Sequence, residues 1–187
     1  TKSHTPGTLF PSGTTTVTYT ATDEASNASI TCSFDVIVVD TQKPVISNCP
    51  TTITQDNDAD SCDAVVTWTE PTALDNCIVS GSLVWTKSHT PGDAFSVGTT
   101  TVTYTATDIA GNISNACSFD VIISDSQVPT AICASPTIFL NSSGVATLTV
   151  GEVDNGSSDN CTTSGNLIIT LSKTTFNCLN EGANSVV

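Results

Sequence analysis

The sequence has no methionine, no arginine, two histidines and only four lysines, Lys2, Lys43, Lys87 and Lys173. Each shortage excludes something. Four cations against a net charge of −14 leave no basic patch for nucleic acid or an anionic membrane surface. No apolar run approaches the ~18 residues of a membrane-crossing helix, and no signal-peptide pattern opens the chain. No stretch has the periodicity of an amphipathic helix. G-x-S-x-G, phosphate-loop and H-E-x-x-H motifs are missing, and His4 and His89 belong to a recurring TKSH stretch rather than to a nucleophile–base pair. We therefore expect no enzyme. No Cys-x-x-Cys occurs, which argues against zinc and against redox catalysis.

What is present is threonine, serine, valine and isoleucine, with eight cysteines at regular spacing. In small Thr-rich units that spacing points to disulfides and an oxidising, extracellular setting. The acidity suits a soluble surface protein or a cation binder.

The dominant feature is a repeat. TKSHTPGTLFPSGTTTVTYTATDEASN (residues 1–27) returns 85 residues later as TKSHTPGDAFSVGTTTVTYTATDIAGN (86–112), and the register holds through Cys32/Cys117, Phe34/Phe119 and Asp40/Asp125. A fixed period of this size marks a tandem array. Residues 1–40 read as the back half of one unit, 41–125 as a whole unit and 126–187 as the front of a third, variant unit, a piece cut from a longer array. In the third unit the offset becomes 84, since Asp75-Asn76-Cys77 recurs as Asp159-Asn160-Cys161.

Within each unit the period is two. Val17, Tyr19 and Ala21 alternate with threonines over 14–22, and Cys32, Phe34, Val36 and Val38 share one face of 30–39. Two such strands around a short polar loop predict a β-hairpin. The same hairpin is expected at 99–107 with 116–124. Ahead of it we expect strands at 45–47, 51–54, 63–69 (Val66 and Trp68 inward), 81–87 (Leu83 and Trp85 inward) and 95–97. The third unit should add strands at 137–140, 145–150 and 167–171. Pro44, lacking an amide hydrogen, suits the start of an edge strand. The predicted fold is all-β: tandem immunoglobulin-like antiparallel sandwiches joined by short linkers.

Asp40/Pro44, Cys49-Pro50, Trp68, Asp75-Asn-Cys77, Gly98–Asp108, Gly111-Asn112 and Cys117-Ser-Phe119 together resemble the hyalin repeat (HYR) family. The resemblance covers the first two units. The third, with Thr130-Ala-Ile-Cys133, looks like a related bacterial variant. The resemblance implies tandem repeats of a large bacterial surface or adhesin-type protein, without catalytic activity in the repeat itself.

Strand positions then suggest the pairing. Cys77 and Cys117 should lie at one end of the sandwich, and Cys49 and Cys62 flank the first turn. Unit three lacks a Cys62 counterpart, so Cys133 is expected to join Cys178. Cys32 and Cys161 are left unpaired.

For Ca²⁺, which takes six to eight hard oxygens, the expected ligands cluster at the linkers. Asp40, Asp75, Asn76, Asp108 and Asn112 would serve the first junction. Asp125, Asp159 and Asn160 would serve the second, with the acidic loop Asp56, Asp58 and Asp60 facing it. The competing role for these residues is turn formation, since Asp and Asn side chains bond nearby backbone. Four Asn-x-Ser stretches read as coincidence in an Asn/Ser-rich chain, and Tyr19, Tyr104, Trp68 and Trp85 as core rather than a sugar-stacking surface. The functional expectation is an extracellular stalk or fibre giving reach and rigidity in adhesion. The alternatives are a glycan- or protein-binding module and a self-assembling filament. The candidate partners are neighbouring repeats, like chains and surface glycans or proteins.

Overall fold

A computed structural model describes residues 1–77, 83–180 and 182–187. In chain order the strands are β1 (Gly13–Tyr19), β2 (Cys32–Val38), β3 (Val45–Ser47), β4 (Ile53–Asp56), β5 (Asp63–Val65) and β6 (Thr72–Leu74). They continue as β7 (Val84–Lys87), β8 (Ala94–Ser96), β9 (Gly98–Thr107), β10 (Cys117–Ser124), β11 (Val145–Thr147) and β12 (Thr175–Asn177), with one helical turn, α1 (Val150–Val153). The fold is all-β and sandwich-like, built from β-branched and aromatic residues that pack well on a pleated surface.

The structure divides into two compact units. The first is Thr1–Thr51, Trp68–Pro91 and Thr101–Phe119; the second is Thr52–Thr67, Gly92–Thr100 and Asp120–Val187. Both draw on the middle sequence repeat.

The hairpins fall where period two placed them. β1 and β2 pair antiparallel with Val17 opposite Phe34 and Tyr19 opposite Cys32. The largest sheet has the order β4-β10-β9-β7. Here β7 meets β9 antiparallel, Lys87 opposite Tyr104. β4 joins β10 in parallel, Ile53 opposite Val121, where we had expected antiparallel pairing throughout. Parallel strands need a long crossover rather than a tight turn, and β5 to β9 supply it.

Two further pairs, β3–β6 and β5–β8, are antiparallel. Of the expected strand at 81–87, residues 81 and 82 lie outside the described residues. Its remainder is β7, flanked by a half-buried Leu83 and carrying a half-buried Trp85.

Identical sequence meets opposite environments. Tyr104 and Phe119 are 2% and 5% exposed, whereas their repeat equivalents Tyr19 and Phe34 are 47% and 51% exposed. In the first unit Trp68 packs edge-on against Phe119, and Trp85 against Tyr104, at 5.5 and 6.1 Å between ring centroids. The β1–β2 hairpin has no such cover among the described residues.

The third sequence unit departs most from expectation. β11 pairs with β12, Ala146 opposite Phe176, around a small core of Ala146, Leu148 and Phe176. Residues 137–140 and 167–171 form no strand, and Val150 opens α1 instead of ending one. The reason for the turn is local. The Thr149 amide and hydroxyl both donate to the Glu152 carboxylate, at 2.8 and 2.9 Å, holding that carboxyl below its usual range. An open cavity of about 1010 Å³ lies against this core, lined by Ile138, Leu171, Val186 and their neighbours.

Candidate functional site

The cysteines correct the expected pairing. Cys49 is bonded to Cys117, with Cα atoms 5.7 Å apart, and Cys62 to Cys161, 4.8 Å apart. Neither Cys49–Cys62 nor Cys77–Cys117 forms, and Cys133 and Cys178 are free and exposed, as are Cys32 and Cys77. Cys161 is paired, not orphaned. The physical cause is sheet order. Cys49 follows β3, and its sulfur lies against the Ser118 carbonyl at the start of β10. Cys62 is instead held beside the Asp-Asn-Cys loop of the next sequence unit, where Asn160 Nδ2 donates to the Ser61 carbonyl at 2.6 Å.

Each Asp-x-x-x-Asn hairpin loop is a reciprocal clamp. The Asn112 amide and side chain donate to the two oxygens of Asp108, both at 2.8 Å, and the Asp108 amide donates back to the Asn112 carbonyl. Asp23 and Asn27 repeat the arrangement at 2.8 and 2.9 Å. Asn112 Nδ2 also donates to the Asp40 carbonyl at 3.2 Å, tying hairpin to linker. Burial pushes the Asp108 carboxyl up. The hydrogen bonds from Asn112, Ala110 and Gly111 outweigh it, so the group titrates below its ordinary 3.8.

A depressed carboxyl stabilises the fold above the unfolded value, and that contribution is lost as pH falls through the folded one. We therefore expect Asp108→Asn to lower the melting temperature near neutrality and to flatten its fall between about pH 6 and about pH 2.5. Parallel melting curves for variant and parent across that range would remove this role.

Of the expected cation ligands, Asp40 and Asp75 are brought together. Together with Cys77, they place one ligand atom each within 4.8 Å of one another. Burial, then the Asp40, Asp75 and Asp108 carboxylates, push the Cys77 thiol up. Asp75 Oδ1 accepts the Cys77 amide at 2.9 Å, while Oδ2 is buried without a hydrogen-bond partner among the described residues. Two carboxylates suit Ca²⁺; the thiol does not. Asn76 is exposed beside them.

The second set gathers separately and is used as turns. Asp125 Oδ1 accepts the Gln127 amide at 3.1 Å, and Asp159 Oδ1 the amides of Cys161 and Thr162 at 2.9 and 2.6 Å. In the acidic loop, Asp58 Oδ2 accepts the Val65 amide at 3.0 Å, the Asp60 amide donates to Gln127 Oε1 at 3.2 Å, and Asp56 ends β4 opposite Ser124. Gln127 Nε2 donates to the Asp58 carbonyl at 2.9 Å. The buried Asn57 donates to the Ser61 carbonyl at 2.7 Å and accepts the Ser126 amide at 3.2 Å. Asn57 and Gln127 lie outside the expected set of carboxylates and loop asparagines, and Cys77 was expected to be the disulfide partner of Cys117. The signal for Gln127 was the linker pattern Asp-x-Gln, present at 40–42 and again at 125–127.

The TKSH stretch has a backbone use. Ser3 Oγ accepts the Thr18 amide at 2.9 Å, and Ser88 Oγ that of Thr103 at 3.0 Å. Of the aromatic residues expected in the core, Tyr104 is buried and Trp68 and Trp85 are half-buried, while Tyr19 is exposed. Trp68 Nε1 donates to Tyr104 Oη at 2.8 Å, and Tyr104 Oη donates to Glu70 at 3.3 Å. Glu70 meets Lys87 at 2.7 Å.

Taken together, these features define a class: a disulfide-clamped all-β repeat whose polar groups are spent on hairpin loops and linkers. The chain belongs to the HYR domain family, whose model matches residues 1–38 and again 39–123.

The chain is 41% identical over 134 residues to "Hyalin" of Strongylocentrotus purpuratus and 42% identical over 136 to "Hyalin" of Lytechinus variegatus. These alignments cover 69% and 71% of this chain, and 11% and 25% of the relatives. It is 40% identical over 131 residues to "Sushi, von Willebrand factor type A, EGF and pentraxin domain-containing protein 1" of Mus musculus, covering 67% of this chain and 3% of that protein. The chain thus spans a quarter or less of the curated relatives it matches. All are animal proteins, so the expected bacterial setting finds no support among them. No solved structure matches the chain.

Proposed function

We propose that this chain is part of an extracellular stalk or fibre of tandem HYR units, giving reach and rigidity in adhesion. The observation that carries the reading is the pair of consecutive HYR matches in a chain with two disulfides, Cys49–Cys117 and Cys62–Cys161. Disulfides persist in oxidising, extracellular settings. The hyalin relatives support the same assignment. Small-angle scattering on arrays of increasing repeat number tests it: the maximum dimension should rise linearly with repeat count. Compact arrays, or selective capture of a glycan on an array screen, would favour a ligand-binding module instead.

We further propose that Ca²⁺ binds at Asp40 and Asp75, with water completing its shell. Excess Ca²⁺ should raise the melting temperature, EDTA should reverse the rise, and Asp75→Asn should abolish it. A binder present at 100 times its dissociation constant contributes about 2.7 kcal/mol. Identical melts with Ca²⁺ and EDTA remove this site.

A further inference from the structure

The Cys62–Cys161 bridge joins the front loop of one sequence repeat to the Asp-Asn-Cys loop of the next. It is the covalent part of a larger seat. Gln127, in the linker, grips the Asp58 carbonyl and the Asp60 amide; Asn160 and Asn57 both donate to the Ser61 carbonyl. Cys161 stands ready because Asp159 fixes its amide. The middle repeat carries the same seat: Asp40 Oδ1 accepts the Gln42 amide at 3.0 Å, as Asp125 does for Gln127. Asp75 fixes the Cys77 amide as Asp159 fixes that of Cys161, both at 2.9 Å. Here Gln42, Asn76 and Cys77 are exposed and the thiol is free.

We propose that Asp40-Thr-Gln42 and Asp75-Asn-Cys77 form a socket for the acidic loop of another HYR unit, and that Cys77 bonds that loop's cysteine. The occupant is a segment with the chemistry of residues 55–66, Gln-Asp-Asn-Asp-Ala-Asp-Ser-Cys-Asp-Ala-Val-Val. The negative charge on both sides is no obstacle, because the filled seat carries it too: Asp125 and Asp159 against Asp56, Asp58 and Asp60.

The oxidant is a small-molecule disulfide such as oxidised glutathione. The loop thiolate, its proton given to water, attacks one sulfur of that disulfide and expels a glutathione thiolate. The Cys77 thiolate then attacks the loop sulfur of the mixed disulfide and expels the second. Two protein thiols are oxidised, one disulfide is reduced to two thiols, and the expelled thiolates recover the protons.

The inference rests on the tandem array proposed above, but its test is separate. The full chain is equilibrated in a glutathione redox buffer with a synthetic peptide of residues 55–66, or with a scrambled peptide of the same composition. Adducts are then mapped by mass spectrometry. Hydrogen bonds like those of the filled seat favour Cys77 over Cys32, Cys133 and Cys178 by about tenfold, and the scrambled peptide shows no such preference. An even spread over the four thiols, no adduct at Cys77, or equal capture of the scrambled peptide overturns the proposal. So does a map of the untreated chain that finds Cys62 joined to Cys77. Any of these results can coexist with arrays that lengthen linearly in scattering, so socket and stalk fail independently.

Discussion

Replacing Cys49 and Cys117 together with alanine should cost about 4 kcal/mol of stability, the chain-entropy value for a bridge closing a loop of this size. The two residues are 68 apart in sequence. Cys117 is also buried, so its truncation adds to the loss. Both tryptophans, Trp68 and Trp85, lie in the first compact unit, so their fluorescence reports on the part the bridge closes. The thermal midpoint should fall by at least about 10 °C. Reduction of the parent, which opens both bridges, should also lower the midpoint, while Cys133→Ala, which breaks no bridge, should leave it in place. A loss below about 1 kcal/mol in the double variant would mean that this bridge does little to constrain the unfolded chain.

Tyr104→Ala should cost about 3–5 kcal/mol, the range for emptying a large aromatic site. Tyr104 is 2% exposed and packs edge-on with Trp85. Tyr104→Phe separates packing from hydrogen bonding: it keeps the ring but removes the hydroxyl that accepts from Trp68 Nε1 and donates to Glu70, at about 1–3 kcal/mol. Burial pushes the Tyr104 hydroxyl above its ordinary 10.0, with Glu70 adding to the rise and the Trp68 bond and Lys87 opposing it. A raised acid stabilises the fold below its unfolded value, and that contribution is lost as pH rises through the folded one. Denaturant titrations of parent and Tyr104→Phe should therefore converge at strongly alkaline pH. A constant gap between them would refute the assignment. Tyr19→Ala, at the repeat equivalent with an exposed ring, should cost far less.

That contrast shows what sequence could and could not reveal. Alternation placed both hairpins within a few residues, because a strand's two-residue period is a local property of the chain. It also assigned Tyr19 and Tyr104 to the same face. It could not say that one is covered and the other open, since cover comes from Trp68 and Trp85, distant in sequence. The parallel β4–β10 pair escaped for the same reason, because strand order leaves no local mark. The cysteines were the clearest lesson. Pairing was sought inside one repeat, whereas Cys62 bonds Cys161 across a separation of 99 residues. The signal was present as a mismatch in inventory: unit three has the Asp-Asn-Cys cysteine and no counterpart of Cys62. Of the candidate cation residues, Asp40 and Asp75 lie close together. Asp108, Asn112, Asp125 and Asp159 have side-chain oxygens or amides committed to turns, as short polar side chains tend to be.

The two bridges interleave, and this decides how the chain would behave under tension. Between Cys49 and Cys161 the shortest covalent route runs from Cys49 to Cys62 and then crosses to Cys161 through sulfur. The 99-residue separation spanned by that crossing is held in reserve, roughly 330 Å of contour length at ~3.4 Å per residue. A pulling experiment should find that slack locked in the oxidised chain and released by reductant, so local redox conditions would set how far the molecule can stretch before it breaks.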